Sequence, residues 1–362
     1  MELNVAQIAG TGGYLPGEAI TNAQVEALVG PLPADILDGI QVRTRHWIVD
    51  LDTFEHTIAN SEMAYRAAAQ ALQRAGIDPS EVELIICATA SPDQLLPPMS
   101  MAVQSRLGLQ RCAVTDIRSG CNGFIEGLDL ARLYVERGQY QTAVVIGSEA
   151  ISPILVPVFR GKDPDKIRMR DRMNPYNFGD GAAAVVVRGA PPGSPGLTPS
   201  AIAAIGGLRR AGMQIDGGGT ATPLHEQAQA KRLMDFKVDV VESGRFSPHV
   251  IIEGVTATLE ACGMTAEEVD VVVIPEGNAG YITDELEEAG LVTPTWKTIE
   301  AKVRENLSLV GATGSAAVPI ALNHLCEEGT VTAGMKVMLL AVETSKWAYG
   351  GMVCTWTAAA PG

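Results

Sequence analysis

The sequence lacks the long apolar run that a transmembrane helix requires. No stretch of its 362 residues approaches the roughly 20 apolar residues that cross a bilayer. Its first residues also lack a basic segment followed by an apolar one, so we expect no signal peptide and a cytoplasmic protein. Basic residues are few: 27 Lys and Arg stand against 42 Asp and Glu, for a net charge of −15. This acidic balance argues against a nucleic-acid partner, because a phosphate backbone binds basic surfaces.

The sequence also lacks the cysteine spacing of a zinc site or a disulfide framework. Its six cysteines are scattered and contain no C-x-x-C pair. We therefore expect no metal, and most of the cysteines should be small apolar core residues. A hydrophobic fraction of 46% and a charged fraction of 19% are typical of a globular chain, and the length allows two domains.

Two similar halves are indicated by three internal matches in the same order. The matched segments are 71–91 with 258–278, 119–138 with 310–329, and 138–150 with 333–345. They place Cys121 over Ala312, and a shift of one residue within the last pair places Glu149 over Glu343. Strands that alternate with helices twice over predict an α/β protein with two duplicated halves and largely buried sheets.

A Gly- and Pro-rich stretch at 188–200 is the natural boundary between these halves. We expect an N-terminal half over residues 1–190 and a C-terminal half over residues 200–362. The first half would carry Cys121 and the second would carry Glu276.

Cys121 follows a predicted strand, Ala113–Ile117, and a tight Ser119-Gly120 turn, and it stands where an amphipathic helix begins. A thiol at a helix N-terminus lies near unpaired N–H groups and the positive end of the helix dipole. Both features favour the thiolate, and the same N–H groups could hold the oxyanion of an attacked thioester. The alternative is a buried structural cysteine.

Glu276 follows the apolar run of residues 269–274 and Pro275. An acid at the end of a buried strand is either a solvated turn residue or a reagent. The sequence around Glu276 leaves both interpretations open.

Several motifs together resemble the ketosynthase III (β-ketoacyl-acyl-carrier-protein synthase III) branch of the thiolase superfamily. They are RSGCNGF (118–124), AVVIGSEA (143–150), NFGDGAAAVVV (177–187), VRTRHWI (42–48) and MDFKVDVV (234–241). The resemblance runs from about residue 5 to residue 357. It implies a thiolase fold, in which two βαβαβ halves form a five-layered α-β-α-β-α sandwich, and it implies a homodimer.

The resemblance also implies roles for individual residues. Cys121 matches the cysteine that the family acylates from a coenzyme A or acyl-carrier-protein thioester, and Arg43 matches an arginine at the mouth of the pantetheine tunnel. The further substrate-binding positions are Asn278, Ala312, Leu96 and Lys237. No cofactor is implied beyond the phosphopantetheine arm, which belongs to the substrate.

The chain departs from the family at its catalytic positions. Glu276 stands where the family has a catalytic His, and Ala312 stands where it has a catalytic Asn. A Gly-rich turn that supplies an oxyanion N–H is replaced by the longer segment 342–351. If the alignment slips by a residue, Asn278 is the substitute for the His. Among the five histidines, His225 falls in a loop that could approach the tunnel.

These departures change the expected chemistry. An ionised Glu276 would repel the enolate of a decarboxylated malonyl thioester, and Ala312 donates no hydrogen bond to it. A carboxylate whose pKa is raised by burial is instead suited to general-base work. We expect an acyltransferase of secondary metabolism that passes an acyl group from Cys121 to a non-malonyl small-molecule acceptor. The alternatives are a carbon–carbon-forming ketosynthase with a Cys/Glu site, and a non-catalytic partner subunit.

The segment 158–177 is basic in an acidic chain. Its first sixteen residues hold six Arg or Lys against three Asp. Such a segment could be a lid, or a docking patch for an acidic carrier protein or the phosphates of coenzyme A. It could also be a solvated loop.

Overall fold

The computed structural model describes residues 3–229 and 236–359. In chain order, the strands in this part of the chain are β1 (Val5–Tyr14), β2 (Ile20–Thr21), β3 (Thr44–Arg45), β4 (Leu84–Ala88), β5 (Ala113–Ile117), β6 (Thr142–Glu149), β7 (Gly181–Ala190), β8 (Ala201–Ala204), β9 (Met213–Ile215), β10 (Phe236–Val238), β11 (Val271–Val273), β12 (Val303–Arg304), β13 (Lys336–Glu343) and β14 (Ala348–Thr355).

The α-helices of the same residues are α1 (Asn22–Val29), α2 (Ala34–Ile40), α3 (Asn60–Ala75), α4 (Met99–Arg106), α5 (Gly123–Glu136), α6 (Ser152–Leu155), α7 (Met169–Asn177), α8 (Leu224–Gln229), α9 (Val240–Cys262), α10 (Ala279–Glu288), α11 (Pro294–Ile299), α12 (Leu307–Val310) and α13 (Ala317–Glu327). Within the described ranges, no helix has the length and apolar character needed to cross a membrane.

Two five-stranded sheets have the same topology. The first has the order β1-β7-β6-β4-β5 and the second, read in reverse, β8-β14-β13-β11-β12. In both, the first two neighbouring pairs are antiparallel and the last two are parallel. This correspondence confirms the predicted duplication.

The helix ends that precede β4 and β11 show how the duplicated sequence dictates duplicated geometry. Gly76 ends α3 with φ 64° and ψ 31°, and Gly263 ends α9 with φ 65° and ψ 29°. Both glycines take the left-handed conformation that commonly closes a helix. Each donates its N–H to the last turn, at Leu72 and Leu259 respectively.

The elements form five layers, as predicted. Helices α5 and α13 lie between the two sheets, where Phe124 and Leu322 share a buried cluster with Val145 and Leu339. Helix α3 covers the outer face of the first sheet, and α9 covers the outer face of the second. The central layer therefore begins at the turns that precede α5 and α13.

Asp180, within the FGDGA motif, ties three segments together. Its buried carboxylate accepts hydrogen bonds from the backbone N–H groups of Ile48 (2.8 Å), Ile151 (2.6 Å) and Ser152 (2.8 Å). Burial raises the pKa of Asp180 to about 6, against the opposing effect of these bonds.

We predict that Asp180→Ala lowers the free energy of unfolding by at least about 3 kcal/mol, because three buried N–H donors lose their acceptor and each costs about 1–3 kcal/mol. Chemical denaturation would measure the loss. Asp165→Ala, which removes an exposed carboxylate, is the matched control and should change stability little. Equal stability of the two variants would contradict the anchoring role of Asp180.

Candidate active site

Cys121 lies in a 3₁₀ turn, Gly120–Asn122, between β5 and α5. The predicted strand Ala113–Ile117 and the helix start are both confirmed. Gly120 has φ 55°, which reverses the chain after the strand and presents Cys121 at the beginning of the central helix. The thiol is partly buried.

The pKa of Cys121 is raised well above its ordinary value, so the prediction of a favoured thiolate is wrong. Burial is the main cause, and the carboxylates of Glu343, Glu276 and Glu149 add to it in that order. A hydrogen bond between the thiol and Glu343 adds a smaller increase. The helix N-terminus would lower the pKa of the thiol, but burial and the charges of three acids from distant parts of the chain outweigh this effect.

Glu276 is one of these three acids. It follows β11 and is close enough to Cys121 to raise the pKa of the thiol. Burial, followed by the charges of Glu343 and Glu285, raises the pKa of Glu276 to about 8. The expected direction of this shift is confirmed. At neutral pH Glu276 is mostly protonated and can donate a hydrogen bond, whereas above about pH 8 it is a base.

Glu343 was not predicted as a site residue, although it contacts the nucleophile directly. It ends β13 and is 4% exposed. One carboxylate oxygen accepts the N–H of Cys121 at 2.5 Å, and the other accepts the N–H of Ser345 at 2.6 Å. Two signals pointed to it: its match with Glu149 in the repeat, and the unusual segment 342–351.

Ala312 is not the counterpart of Cys121, contrary to the predicted register of the repeat. The turn equivalent to Gly120–Asn122 is the 3₁₀ turn Gly314–Ala316, which precedes α13 and begins with φ 54°. Ser315 therefore corresponds to Cys121. Ala312 instead forms a parallel bridge with Phe178, and its backbone is hydrogen-bonded to residues 177 and 179.

Asn278 and Arg43 line the same cavity of about 580 Å³. The side chain of Asn278 caps α10 by accepting the N–H of Tyr281 at 3.0 Å, and it also bonds Gln41. Arg43 is exposed, and its N–H bonds the carbonyl of Ser308. The structure thus brings these two predicted substrate-binding residues together, with Asn278 committed to a helix cap.

Leu96, Lys237 and His225 lie apart from these contacts. Leu96 is a surface residue, 80% exposed. Lys237 forms an ion pair with Asp216, which directly follows β9, the strand paired with β10. His225 lies on α8 with an exposed side chain, and the carboxylate of Glu226 is 3.9 Å away.

Several basic residues of the segment 158–173 form ion pairs or hydrogen bonds within the protein. Lys166 pairs with Asp163, and Arg168 pairs with Asp171. Arg172 donates to the backbone carbonyls of Pro31, Pro164 and Ile167. A search of residues 3–229 and 236–359 finds no cluster of three or more His, Cys, Asp or Glu that could hold a metal ion.

Comparison with known proteins places this site in a family. The family described as 3-oxoacyl-[acyl-carrier-protein] synthase III matches residues 115–206, and its C-terminal part matches residues 259–356. The β-ketoacyl-[acyl-carrier-protein] synthase III of Caldanaerobacter subterraneus subsp. tengcongensis is 32% identical over 336 residues, or 93% of each chain.

Two solved structures are similar over nearly their whole lengths. The 3-oxoacyl-[acyl-carrier-protein] synthase III of Aquifex aeolicus is 26% identical with a TM-score of 0.77, over 97% of this chain and 100% of that one. A tetronic acid condensing enzyme is 25% identical with a TM-score of 0.79, over 96% of this chain and 99% of that one.

Proposed function

The chain belongs to the 3-oxoacyl-[acyl-carrier-protein] synthase III family of thiolase-fold enzymes, and from this membership we propose that it is an acyltransferase. Cys121 takes an acyl group from an acyl-coenzyme A or acyl-carrier-protein thioester. It then passes that group to a small-molecule acceptor other than a malonyl thioester.

Acyl loading needs the sulfur of Cys121 and donors for the developing oxyanion. The sulfur bonds to the carbonyl carbon of the thioester, and the donor's carbon–sulfur bond breaks. The donor leaves as a free thiol and carries the proton that Cys121 loses. Because the pKa of Cys121 is raised, loading speeds up as the pH rises and more thiolate forms.

In the transfer step, we assign Glu276 the role of general base. Its carboxylate removes a proton from a hydroxyl, amine or carbon acid, which then attacks the acyl carbonyl. The bond between the carbonyl carbon and Cys121 breaks, and the sulfur recovers the proton from Glu276. A pKa of about 8 suits this exchange, because a base is most effective when its pKa lies near the working pH.

The observation that carries the choice of acceptor is the charge around the thiol. Glu343, Glu276 and Glu149 all act on Cys121 electrostatically. Glu276 is mostly protonated at neutral pH, but the Glu343 carboxylate binds the N–H of Cys121, and a malonyl group would bring a further carboxylate beside it, where like charges repel. A neutral acceptor meets no such repulsion.

Carbon–carbon bond formation is a second candidate, favoured by the protonation state of Glu276. With a pKa of about 8, Glu276 is mostly a neutral acid at pH 7. A neutral carboxyl can donate a hydrogen bond to an enolate oxygen, which an ionised one cannot. This donor would replace one of the two side-chain donors, a His and an Asn, that the family has and this chain lacks.

The proposed assembly is a homodimer. Strand β5 is an edge strand that a second copy could extend, and Leu95 and Leu96 are exposed apolar residues of the loop between β4 and α4. The cavity at Arg43 and Asn278 is the proposed entrance for the pantetheine arm. The unpaired cysteines fit a reducing cytoplasm.

Covalent loading is the first test. Acyl-coenzyme A or acyl-carrier-protein thioesters should add one acyl mass to the wild type and none to Cys121→Ala, as read by mass spectrometry of the intact protein. Peptide mapping should place the adduct on Cys121. An adduct on another cysteine would overturn the assignment, and no adduct with any thioester would favour a non-catalytic subunit.

The second test concerns malonyl thioesters. We predict that carbon dioxide release from malonyl-coenzyme A or malonyl carrier protein stays near background, because the site is acidic and Ala312 offers no side-chain donor. Radiolabelled malonyl thioesters would measure the release. Efficient release that is coupled to a β-ketoacyl product would instead establish the carbon–carbon-forming candidate.

The third test concerns Glu276. We predict that Glu276→Gln loads Cys121 normally but unloads it slowly, because the amide cannot accept the acceptor's proton. In the wild type, unloading from preformed acyl-enzyme should rise with pH through about 8, and this rise should vanish in Glu276→Gln. Single-turnover unloading across pH 6–10 would measure both effects. Unloading that falls through pH 8 would make Glu276 a hydrogen-bond donor instead.

A further inference from the structure

Two backbone N–H groups bind one carboxylate beside Cys121, each at a different oxygen. The N–H of Cys121 and the N–H of Ser345 each donate to an oxygen of the Glu343 carboxylate, at 2.5 and 2.6 Å. A Cβ placed on Gly120 would lie 1.8 Å from the same carboxylate, so the acid packs directly on the glycine before the nucleophile. A nucleophile's own N–H paired with a second N–H is the arrangement that stabilises oxyanions in acyl transfer.

The second donor is held by a rigid turn. Ser345 lies in the four-residue connection 344–347, which is closed by the pairing of Glu343 with Ala348. Trp347 in this turn is fully buried, and its ring N–H donates to the carbonyl of Arg210 at 2.8 Å. Its φ of 61° is unusual for a bulky residue and is imposed by the surrounding packing. The turn that carries Ser345 therefore has an anchor, Trp347, in addition to Glu343.

The family resemblance implies an oxyanion site built from N–H groups at the Cys121 turn and in the turn at 342–351. We propose that Glu343 occupies this site in the resting enzyme by accepting the N–H groups of Cys121 and Ser345. The inference rests on the proposed role of Cys121 as a nucleophile. Glu343 is thus a gating residue that must withdraw from the two N–H groups before acyl transfer. It limits the reaction to substrates whose binding displaces an internal carboxylate.

The loading step proceeds once Glu343 has left the two N–H groups. As the sulfur of Cys121 bonds to the carbonyl carbon, the π electrons of the carbonyl move to its oxygen, which accepts both N–H groups. The carbonyl re-forms, the donor's carbon–sulfur bond breaks, and the donor leaves as a thiol with the proton from Cys121. The N–H pair serves the oxyanion only while Glu343 is away.

The other half of the molecule shows what a purely structural version of this contact looks like. Glu149, at the end of β6, accepts hydrogen bonds from the backbone N–H and the hydroxyl of Ser315, which corresponds to Cys121. There the acid meets a serine that we assign no chemistry. Glu149→Gln is therefore the matched control for losing a buried strand-end carboxylate.

The experiment compares two reactions of Cys121 that differ in one respect. Alkylation by iodoacetamide needs the thiolate but builds no oxyanion, whereas acylation by p-nitrophenyl acetate needs both. The ratio of the acylation rate constant to the alkylation rate constant reports access to the N–H pair. It is measured on the full chain from pH 7 to 10. The variants are Glu343→Ala, Glu343→Gln and Glu343→Asp, beside Glu149→Gln.

We expect Glu343→Ala to raise the ratio roughly tenfold or more, since removing one oxyanion donor elsewhere changes rates by about 10²–10³. Glu343→Gln still fills the site, so it should speed alkylation by removing charge and leave the ratio near the wild-type value. Glu343→Asp keeps the charge but retracts it by one carbon, so the ratio should rise even if Glu343→Ala does not fold. Glu149→Gln also removes a charge that acts on Cys121, so it should speed both reactions alike and leave the ratio unchanged.

An unchanged ratio in both Glu343→Ala and Glu343→Asp would overturn the proposal and leave Glu343 as a structural acid like Glu149. A lower ratio in the Glu343 variants would make Glu343 a productive base and would also overturn the proposal. The proposal would likewise be overturned if the wild type and all variants were alkylated but none was acylated. Because p-nitrophenyl acetate needs no pantetheine site, a raised ratio without loading from coenzyme A or carrier-protein thioesters would reject the proposed function alone.

Discussion

Two buried carboxylates that cross between the halves fix the centre of the molecule. Glu149 ends a strand of the first sheet and bonds Ser315 at the start of the second half's central helix. Glu343 ends a strand of the second sheet and bonds Cys121 at the start of the first half's central helix. A buried carboxylate is tolerated only when its oxygens are hydrogen-bonded. Each strand end therefore sets the position of a turn in the opposite half.

The same crossing sets the charge of the site. Strands β11 and β13 are parallel neighbours, so Glu276 and Glu343 emerge at the same edge of the sheet. Three acids near one thiol cannot all be ionised together with it at low cost. The result is a pKa of about 8 for Glu276 and a protonated Cys121 at neutral pH. The departure from a Cys-His-Asn set thus changes the electrostatics of the whole site.

Local features of the fold could be predicted from the sequence. Strand β5, the helix that follows Cys121, and the glycine-ended helices before β4 and β11 all depend on residues within one or two turns of each other. The repeat register failed at Ala312 because Gly311 and Gly314 are three residues apart and both have positive φ. Their neighbours distinguish the two glycines: Gly311 lies against Asn177 and Gly179, whereas Gly314 lies against Glu149. Both sets of contacts join distant parts of the chain.

The thiol's protonation state could not be predicted for a related reason. The helix start after Gly120 is a local signal, whereas Glu343 reaches Cys121 across 222 residues of sequence. The repeat had already paired Glu343 with Glu149, but a pairing of equivalent positions does not show what either side chain touches. The sequence therefore predicted a nucleophile at Cys121, and the three-dimensional structure showed which distant acids surround its thiol.

The position of Glu276 explains why an acid can stand where the family has a histidine. A group that takes a proton from an acceptor and returns it to sulfur must gain and lose that proton within one cycle. Such exchange is fastest when the pKa of the group lies near the ambient pH, which is the ordinary property of an imidazole. Burial beside Glu343 moves the carboxyl of Glu276 into the same range. In the proposed mechanism Glu343 therefore has two effects: its charge helps to raise the pKa of Glu276, and its carboxylate occupies the N–H groups at Cys121. One crossing contact would then influence both proposed half-reactions.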